Sequence, residues 1–249
     1  MICPSMQILE LIARGALFVV NHSAGKDSQA MLIWLRVFGI PDDQLLLIHA
    51  DLGEVEWPGN IEHIQSTAPD LPLVIARPRR SLLEMVEDRG MFPSPQQRQC
   101  TSDLKRGPIE REIRRFLKAN PRFNGLVVNC MGMRAEESPS RAKATRFRFN
   151  PRNSKAGREW YDWLPIFDLT VGEVLRMIFA AGQAPHWAYY AGMTRLSCCF
   201  CIMASKADLT TAAGLMRSLY RTYVELEQRV GHTLSMSRQT LPQITGIAA

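Results

Sequence analysis

Near-continuous apolar runs alternate along the first half of the chain with segments whose apolar residues recur every three or four positions. "ALFVVNH" (16–22) is followed by a helical pattern from about Asp27 to Phe38, then by "QLLLIHA" (44–50) and a helical stretch around Gly59 to Thr67. "LPLVIA" (71–76) precedes the helix-like "SLLEMVEDRG" (81–90), and "GPIEREIRRFLKAN" (107–120) precedes "GLVVNCMG" (125–132). Short apolar strands separated by amphipathic helices are the pattern of a parallel sheet covered on both faces. The pattern predicts an α/β fold, a doubly wound and mostly parallel sheet with helices on both faces. Ligands of such sheets sit at the carboxyl ends of the strands.

The pattern changes after Arg134. "SPSRAKATRFRFNPRNSKAGR" carries Arg141, Lys143, Arg146, Arg148, Arg152, Lys155 and Arg158 without an acidic residue, and it reads as a loop or hairpin excursion over 139–158. Thr170 and Glu173 are spaced as a capping box that opens a helix. A longer helical segment is expected from about Lys206 to Val230, and the tail "SMSRQTLPQITGIAA" is expected to be loosely ordered.

Composition refines this picture in four places. Apolar residues make up 46% of the 249 and charged ones 22%, the values of a globular protein with a sizeable core. The N-terminal stretch lacks a basic region, and Glu10 and Arg14 interrupt its apolar character. It reads as an amphipathic helix rather than a signal peptide, and no apolar run approaches the roughly 18 residues of a membrane span. The expectation is a cytoplasmic protein with no membrane contact. Six cysteines (Cys3, Cys100, Cys130, Cys198, Cys199 and Cys201) then point to metal or redox chemistry rather than a disulfide framework. The net charge of +6 suits a polyanionic partner, although its distribution matters more than its sum.

The candidate chemistry starts at "HSAGKDSQA" (22–30), a small-residue loop between a strand and a helix. It is not a Walker A loop, because Val20 stands where that motif needs glycine and Asp27 separates Lys26 from Ser28. Free amides at a helix start, the Ser23 and Ser28 hydroxyls, the permissive Gly25 and the Lys26 charge still make an anion site. The plain alternative is a Gly-Lys-Asp turn capping a core helix.

"SAGKDS" resembles the SGGKDS signature of the PP-loop ATP pyrophosphatase superfamily, with Ala24 for the first glycine. Other blocks resemble the PAPS reductase family within it. "HADLGEVEW" is similar to the family's HxDTG segment, with Leu52 for threonine. "RQCTSDLKRGPIE" matches R-x-C-x-x-x-L-K-x-x-P through Arg98, Cys100, Leu104, Lys105 and Pro108. "GMRAEESPSR" is similar to G-x-R-x-x-E-S-x-x-R through Gly132, Arg134, Glu137, Ser138 and Arg141. "WLPIFDLTVGEVLRMI" and "YYAGMTRLSCCFC" are similar to the family's later blocks. All fall in the family order over roughly 16–203.

The resemblance implies an adenine nucleotide, either ATP with Mg²⁺ or APS or PAPS. It would be held by Ser23, Ala24, Gly25, Lys26, Asp27, Ser28, Asp51, Lys105, Gly132, Arg134 and Arg141. Asp27 and Asp51 are implied as Mg²⁺ carboxylates, and Arg134 and Arg141 as phosphate or sulfate cations. The alternatives are a solvated basic loop for the arginines and a strand cap for Asp51. The chain then divides into a nucleotide-binding core, 1–169, and a helical C-terminal part, 170–249, with the CCxC cluster.

Cys198 and Cys201 form a C-x-x-C pair around Cys199, and the resemblance makes Cys100 the third thiol of a 4Fe–4S cluster, with Cys199 one choice for the fourth ligand. A zinc site and a metal-free redox or persulfide pair remain open. Cys130 reads as a buried core thiol, and His22 and His49 as hydrogen-bonders at loop ends. Reductases of the family carry a C-terminal Cys nucleophile, and here no Cys follows Cys201. The first expectation is therefore ATP-dependent adenylation and sulfur transfer on tRNA or DNA, close in character to the sulfurtransferase subunit of DNA phosphorothioation systems. Lys26, Asp27, Asp51, Arg134 and Cys201 would be its catalytic residues. A sulfur donor such as a cysteine desulfurase and a homo-oligomer are expected with it. The alternatives are an atypical PAPS or APS reductase and a non-catalytic nucleotide-binding regulator. The excursion, with Phe147 and Phe149 between its cations, reads as a contact to a phosphate backbone, the alternatives being a loop that closes over a nucleotide or a solvated face.

Overall fold

A computed structural model describes residues 6–248; Cys3, to which the sequence gives no role, lies outside them. The strands are β1 (Leu17–Asn21), β2 (Leu45–Ala50), β3 (Leu73–Ala76), β4 (Leu126–Cys130), β5 (Phe147–Phe149) and β6 (Glu159–Trp163). The helices are α1 (Met6–Ala13), α2 (Lys26–Phe38), α3 (Asn60–Thr67), α4 (Leu82–Arg89), α5 (Gly107–Ala119), α6 (Val171–Ala180), α7 (Trp187–Tyr190), α8 (Lys206–Leu215), α9 (Arg217–Val230) and α10 (Leu241–Thr245). None is long and apolar enough to cross a membrane.

The strands form one sheet in the order β3-β2-β1-β4-β6-β5. β1 pairs in parallel with β2 (Phe18 with Leu45) and with β4 (Leu17 with Val127), and β4 pairs in parallel with β6 (Leu126 with Glu159). Only the short β5 runs antiparallel, against β6. β1 and β2 are buried along nearly their whole length without in-out alternation, which requires cover on both faces. This is the doubly wound α/β architecture that the hydropathy pattern predicts. Strand order reverses between β1 and β4, the switch point at which such sheets open a crevice at their carboxyl ends.

The residues fall into two compact units. The first contains the chain up to His49 with Ile61–Val74 and Glu110–Pro185; the second contains Ala50–Asn60, Ile75–Ile109 and the chain from His186. The first unit carries most of the sheet, with α2 packed on α6. The core of the second gathers Trp57, Met85, Phe92, Phe200, Tyr220, Tyr223 and Leu241.

Two expectations are corrected, and one strand is added: "EWYDW" is β6, an interior strand in which Trp160, Asp162 and Trp163 are buried. The long helix expected over Lys206–Val230 is broken at Met216, whose φ of −116° and ψ of 57° end α8 and start α9. The tail is not loose throughout: Thr240 and Gln243 form a capping box for α10, and Leu241, Ile244 and Thr245 are buried. The buried Glu227 carboxylate accepts the Leu234 and Leu241 amides at 2.8 and 2.9 Å, and the Tyr220 hydroxyl donates to the Ile247 carbonyl at 2.6 Å.

Candidate functional site

In the first unit the site grows from the carboxyl end of β1. Asn21 donates to Asn129 Oδ1 at 2.7 Å and to the Cys130 carbonyl at 2.8 Å, tying the ends of β1 and β4 together. The His22 amide then bonds the Ile48 carbonyl, and His49 Nδ1 donates to the His22 carbonyl at 2.8 Å. Both histidines serve as hydrogen-bonders at loop ends, as the sequence suggests.

The loop closes on itself through Ser28. Its hydroxyl accepts the Ser23 amide at 3.1 Å and donates to the Gly25 carbonyl at 2.9 Å. His22 Nδ1 accepts the Ala24 amide at 3.1 Å, which leaves the ring's proton on Nε2. Burial pushes the His22 imidazole down to about 3, with the neighbouring His63 and His49 adding to the shift, so the ring is a neutral acceptor at ordinary pH. Ala24 has a φ of +62°, a left-handed backbone that glycine adopts freely. That explains why the motif's usual residue here is glycine and why alanine, the smallest chiral residue, replaces it.

Gly25, which has no side chain to bond them, precedes the first-turn amides of α2. They and the helix dipole favour an anion at this end. The segment after β4 lies directly against this helix start. A Cβ at Gly132 would sit 3.1 Å from the Asp27 carbonyl carbon and oxygen and 3.2 Å from the Ser28 nitrogen.

Two residues further on, the buried Arg134 donates from Nε to Asp27 Oδ1 at 2.7 Å and from a terminal nitrogen to the Leu169 carbonyl at 3.2 Å. Lys26 Nζ stands 3.3 Å from Asp27 Oδ2. Asp27 thus bridges two buried cations at the mouth of the loop. Arg141 is ion-paired with Glu137.

Most arginines of the basic excursion are paired within the fold. Arg146 pairs with Asp168, Arg148 with Asp162 and Arg152 with Glu110. Phe147 stacks on Tyr161 at 5.1 Å, and Phe149 meets the same ring edge-on at 5.6 Å. Carboxylates distant in sequence neutralise most of its arginines, and β6 already occupies its rings.

The second unit holds Asp51 and the cysteines. Asp51 Oδ1 accepts the Gly53 amide at 2.9 Å and its Oδ2 meets Arg77 Nε at 3.0 Å, the geometry of a strand-end cap. A π-helical turn over Cys100–Arg106, absent from the sequence reading, presents Cys100 and Lys105. Together with Cys198 and Cys201 these line a cavity of about 70 Å³ walled by Phe92 and Phe200.

The Cys198 sulfur holds the Lys105 ammonium above the ordinary lysine value. Burial pushes the Cys198 thiol up to about 11, Lys105 opposing it, and Cys199 up to about 12. Cys201 Sγ accepts the Met203 amide at 3.4 Å. The fully buried Tyr223 hydroxyl has no hydrogen-bond partner, and the four cysteines contribute to raising it, after burial itself.

Among the described residues, no three of His, Cys, Asp or Glu are arranged to hold a metal ion. The donor types suit soft-metal chemistry, but in this arrangement the four-cysteine ligand set is not assembled. Cys199 in particular is tied back through its amide to the Val55 carbonyl at 2.9 Å. Cys130 is buried within β4, as expected.

Comparison with known proteins gives this geometry a family. A curated relative, an uncharacterised 37.8 kDa protein of Escherichia phage 186, is 28% identical over 127 residues, which is 51% of this chain and 36% of the relative. The match therefore spans about a third of that relative's length. The structure of phosphoadenylyl-sulfate reductase from Candida auris, a phosphate complex, aligns at 14% identity and a TM-score of 0.45 over 72% of this chain and 80% of that one. Candida glabrata FMN adenylyltransferase with FAD and pyrophosphate aligns at 13% identity and a TM-score of 0.44, over 78% and 66% of the two chains. The Campylobacter jejuni NH3-dependent NAD synthetase aligns at 14% identity and a TM-score of 0.39, over 94% and 87%. The model of the phosphoadenosine phosphosulfate reductase domain matches residues 18–204. Because that span runs from β1 through the loop, Gly132 and Arg134 to the last cysteine, the chain belongs to the phosphoadenosine phosphosulfate reductase family.

Proposed function

We propose that the chain is an adenine-nucleotide-dependent enzyme of sulfur metabolism that uses ATP to adenylate a nucleic-acid substrate and then transfers sulfur to it. The observation that carries this reading is the start of α2: a loop folded around Ser28 and Asp27 bridging the buried cations Lys26 and Arg134 at the helix N-terminus. The amides and the two cations would hold the phosphates, and Asp27 would release its cations to the nucleotide or share a Mg²⁺ with it. Attack of a substrate oxygen on the α-phosphorus would expel pyrophosphate, and a sulfur nucleophile would then displace AMP.

The sulfur side of the reading rests on Cys100, Cys198 and Cys201 around Lys105, whose ammonium opposes the rise that burial imposes on the Cys198 thiol. A persulfide passed on from a cysteine desulfurase is the form this sulfur would take, since among the described residues the cysteines are not arranged as a metal ligand set. Acid-labile sulfide with stoichiometric iron after anaerobic purification would contradict it. Pyrophosphate release from ATP on adding tRNA or DNA, lost in Asp27→Ala, supports the adenylation step; its absence with every nucleic acid tried counts against it.

One observation favours a second reading, reduction of a sulfonucleotide. Cys201 is half-buried, accepts a backbone amide, and borders a cavity of about 10 Å³ together with Arg195, a thiol with a cation on the same cavity wall. Sulfite formation from PAPS with a thiol donor, lost in Cys201→Ser and accompanied by no ATP turnover, would establish it.

A further inference from the structure

The opposite edge of the sheet carries a second cationic site. Gly125 leads into β4 and Arg158 into β6, so these residues mark the amino edge, away from the loop at His22. Along α5, Arg111, Arg114, Arg115 and Lys118 stand at i, i+3, i+4 and i+7, a single helical face about 10 Å long. Ile113 and Leu117 are buried. With Arg158 the four cations line an open groove of about 600 Å³, to which, among the described residues, no acidic and no aromatic side chain contributes; Leu117 lines it beside the cations.

The groove is built rather than incidental. A Cβ at Gly125 would lie 2.6 Å from the Gly157 carbonyl oxygen, so only glycine lets the turn before β6 sit against the start of β4. That turn is closed by the Arg158 amide on the Lys155 carbonyl at 3.2 Å, with Ala156 and Gly157 both left-handed at +53° and +78°. It delivers Arg158, whose Nε is buried without a hydrogen-bond partner. Glu112 is ion-paired with Arg111 and Arg115, whereas Arg114 and Lys118 form no ion pair among the described residues. Compensation of the helix dipole accounts for cations in the last turn of α5, but not for Arg111 and not for Arg158, which comes from another element.

We propose that this groove binds the phosphodiester backbone of a double-stranded nucleic acid without reading its sequence. Charge of one sign arrayed along a line matches a phosphate backbone. Binders of single strands add aromatic stacking platforms, and this groove has none. Its contacts are of the positioning kind, which carry no base information. β4 spans five residues, about 17 Å, so a duplex held here would have to run about five base-pair rises to reach the nucleotide loop. The proposal rests on the nucleic-acid part of the reading above and gives the substrate a holding site separate from the reacting one.

The test is fluorescence anisotropy with a labelled DNA duplex and an RNA duplex of about 20 base pairs, titrated over a range of salt without ATP. The expected result is binding by the native chain that is indifferent to base order. It should weaken at least 10-fold in Arg114→Ala/Lys118→Ala, with a salt slope smaller by about 2. Arg158→Ala, from a different element, should weaken binding in the same direction, and ATP should still raise the melting temperature of both variants. Unchanged affinity and slope in the variants overturn the proposal. So does tight binding of inorganic tripolyphosphate, lost in the same variants, when neither duplex binds. Duplex binding that follows these cations while no nucleic acid elicits pyrophosphate release would sink the adenylation reading and leave the groove standing.

Discussion

Gly132→Ala perturbs the candidate site without touching its chemistry. The added methyl meets Asp27 and Ser28 backbone atoms at 3.1–3.2 Å, a few tenths of an ångström inside ordinary van der Waals contact. Both sides are main chain, so no flexible side chain can swing away. Overpacking of this kind costs about 1–3 kcal/mol, and at about 2–4 °C per kcal/mol for a chain of this size the melting temperature should fall by roughly 2–12 °C. If the start of α2 yields instead, its amides leave the phosphate position, and each 1.4 kcal/mol lost there weakens ATP about tenfold. The assay is thermal unfolding with and without ATP, beside Gly214→Ala as a control. Gly214 lies within α8 and has nothing within 4 Å of its Cβ position, so alanine should leave stability unchanged or raise it by up to about 1 kcal/mol. A Gly132→Ala protein with native melting temperature and native ATP affinity would refute the close-approach argument.

Two further outcomes follow from buried titratable groups. His22 is neutral in the fold and titrates there at about 3 instead of 6.5. The unfolded chain therefore binds a proton first, and the stability this group contributes is present above pH 6.5 and is lost as pH falls from 6.5 toward 3. His22→Asn, which keeps an acceptor for the Ala24 amide, should flatten the dependence of unfolding free energy on pH between about 6.5 and 5; an unchanged slope contradicts the assignment. Glu227→Ala leaves the Leu234 and Leu241 amides without their acceptor, each worth about 1–3 kcal/mol. Urea unfolding should show a loss of at least about 2 kcal/mol with faster hydrogen exchange over 234–247, and a loss under about 0.5 kcal/mol would show that the tail is held by other contacts.

The loop and its sheet were legible because they are local and periodic. A buried strand, a small-residue loop and an amphipathic helix announce themselves within about twenty residues, and the blocks at Gly132 and Arg134 then follow in family order. Long-range charge pairing was not legible. The arginines of the excursion look unneutralised only because their carboxylates, Glu110, Asp162 and Asp168, lie outside the basic run. β6 was hidden for a related reason, since Asp162 is buried by accepting from Asn129, Arg148 and Asn150. The cationic face of α5 was in plain view at helical spacing, but its fifth member comes from the turn before β6, a juxtaposition only the fold makes. The cysteines show the converse: their types were clear from the sequence, whereas their arrangement around Lys105 depends on a π-helical turn that leaves no hydropathy signature.

The central claim is that the amides at the start of α2, with Lys26, receive the phosphates of an adenine nucleotide. The most direct measurement is the shift in melting temperature produced by ATP in the native chain and in Lys26→Ala. Ligand at about 100 times its dissociation constant stabilises the native state by about 2.7 kcal/mol, so the native chain should show a clear upward shift and the variant little or none. An equal shift in both proteins would place the nucleotide elsewhere and contradict the claim.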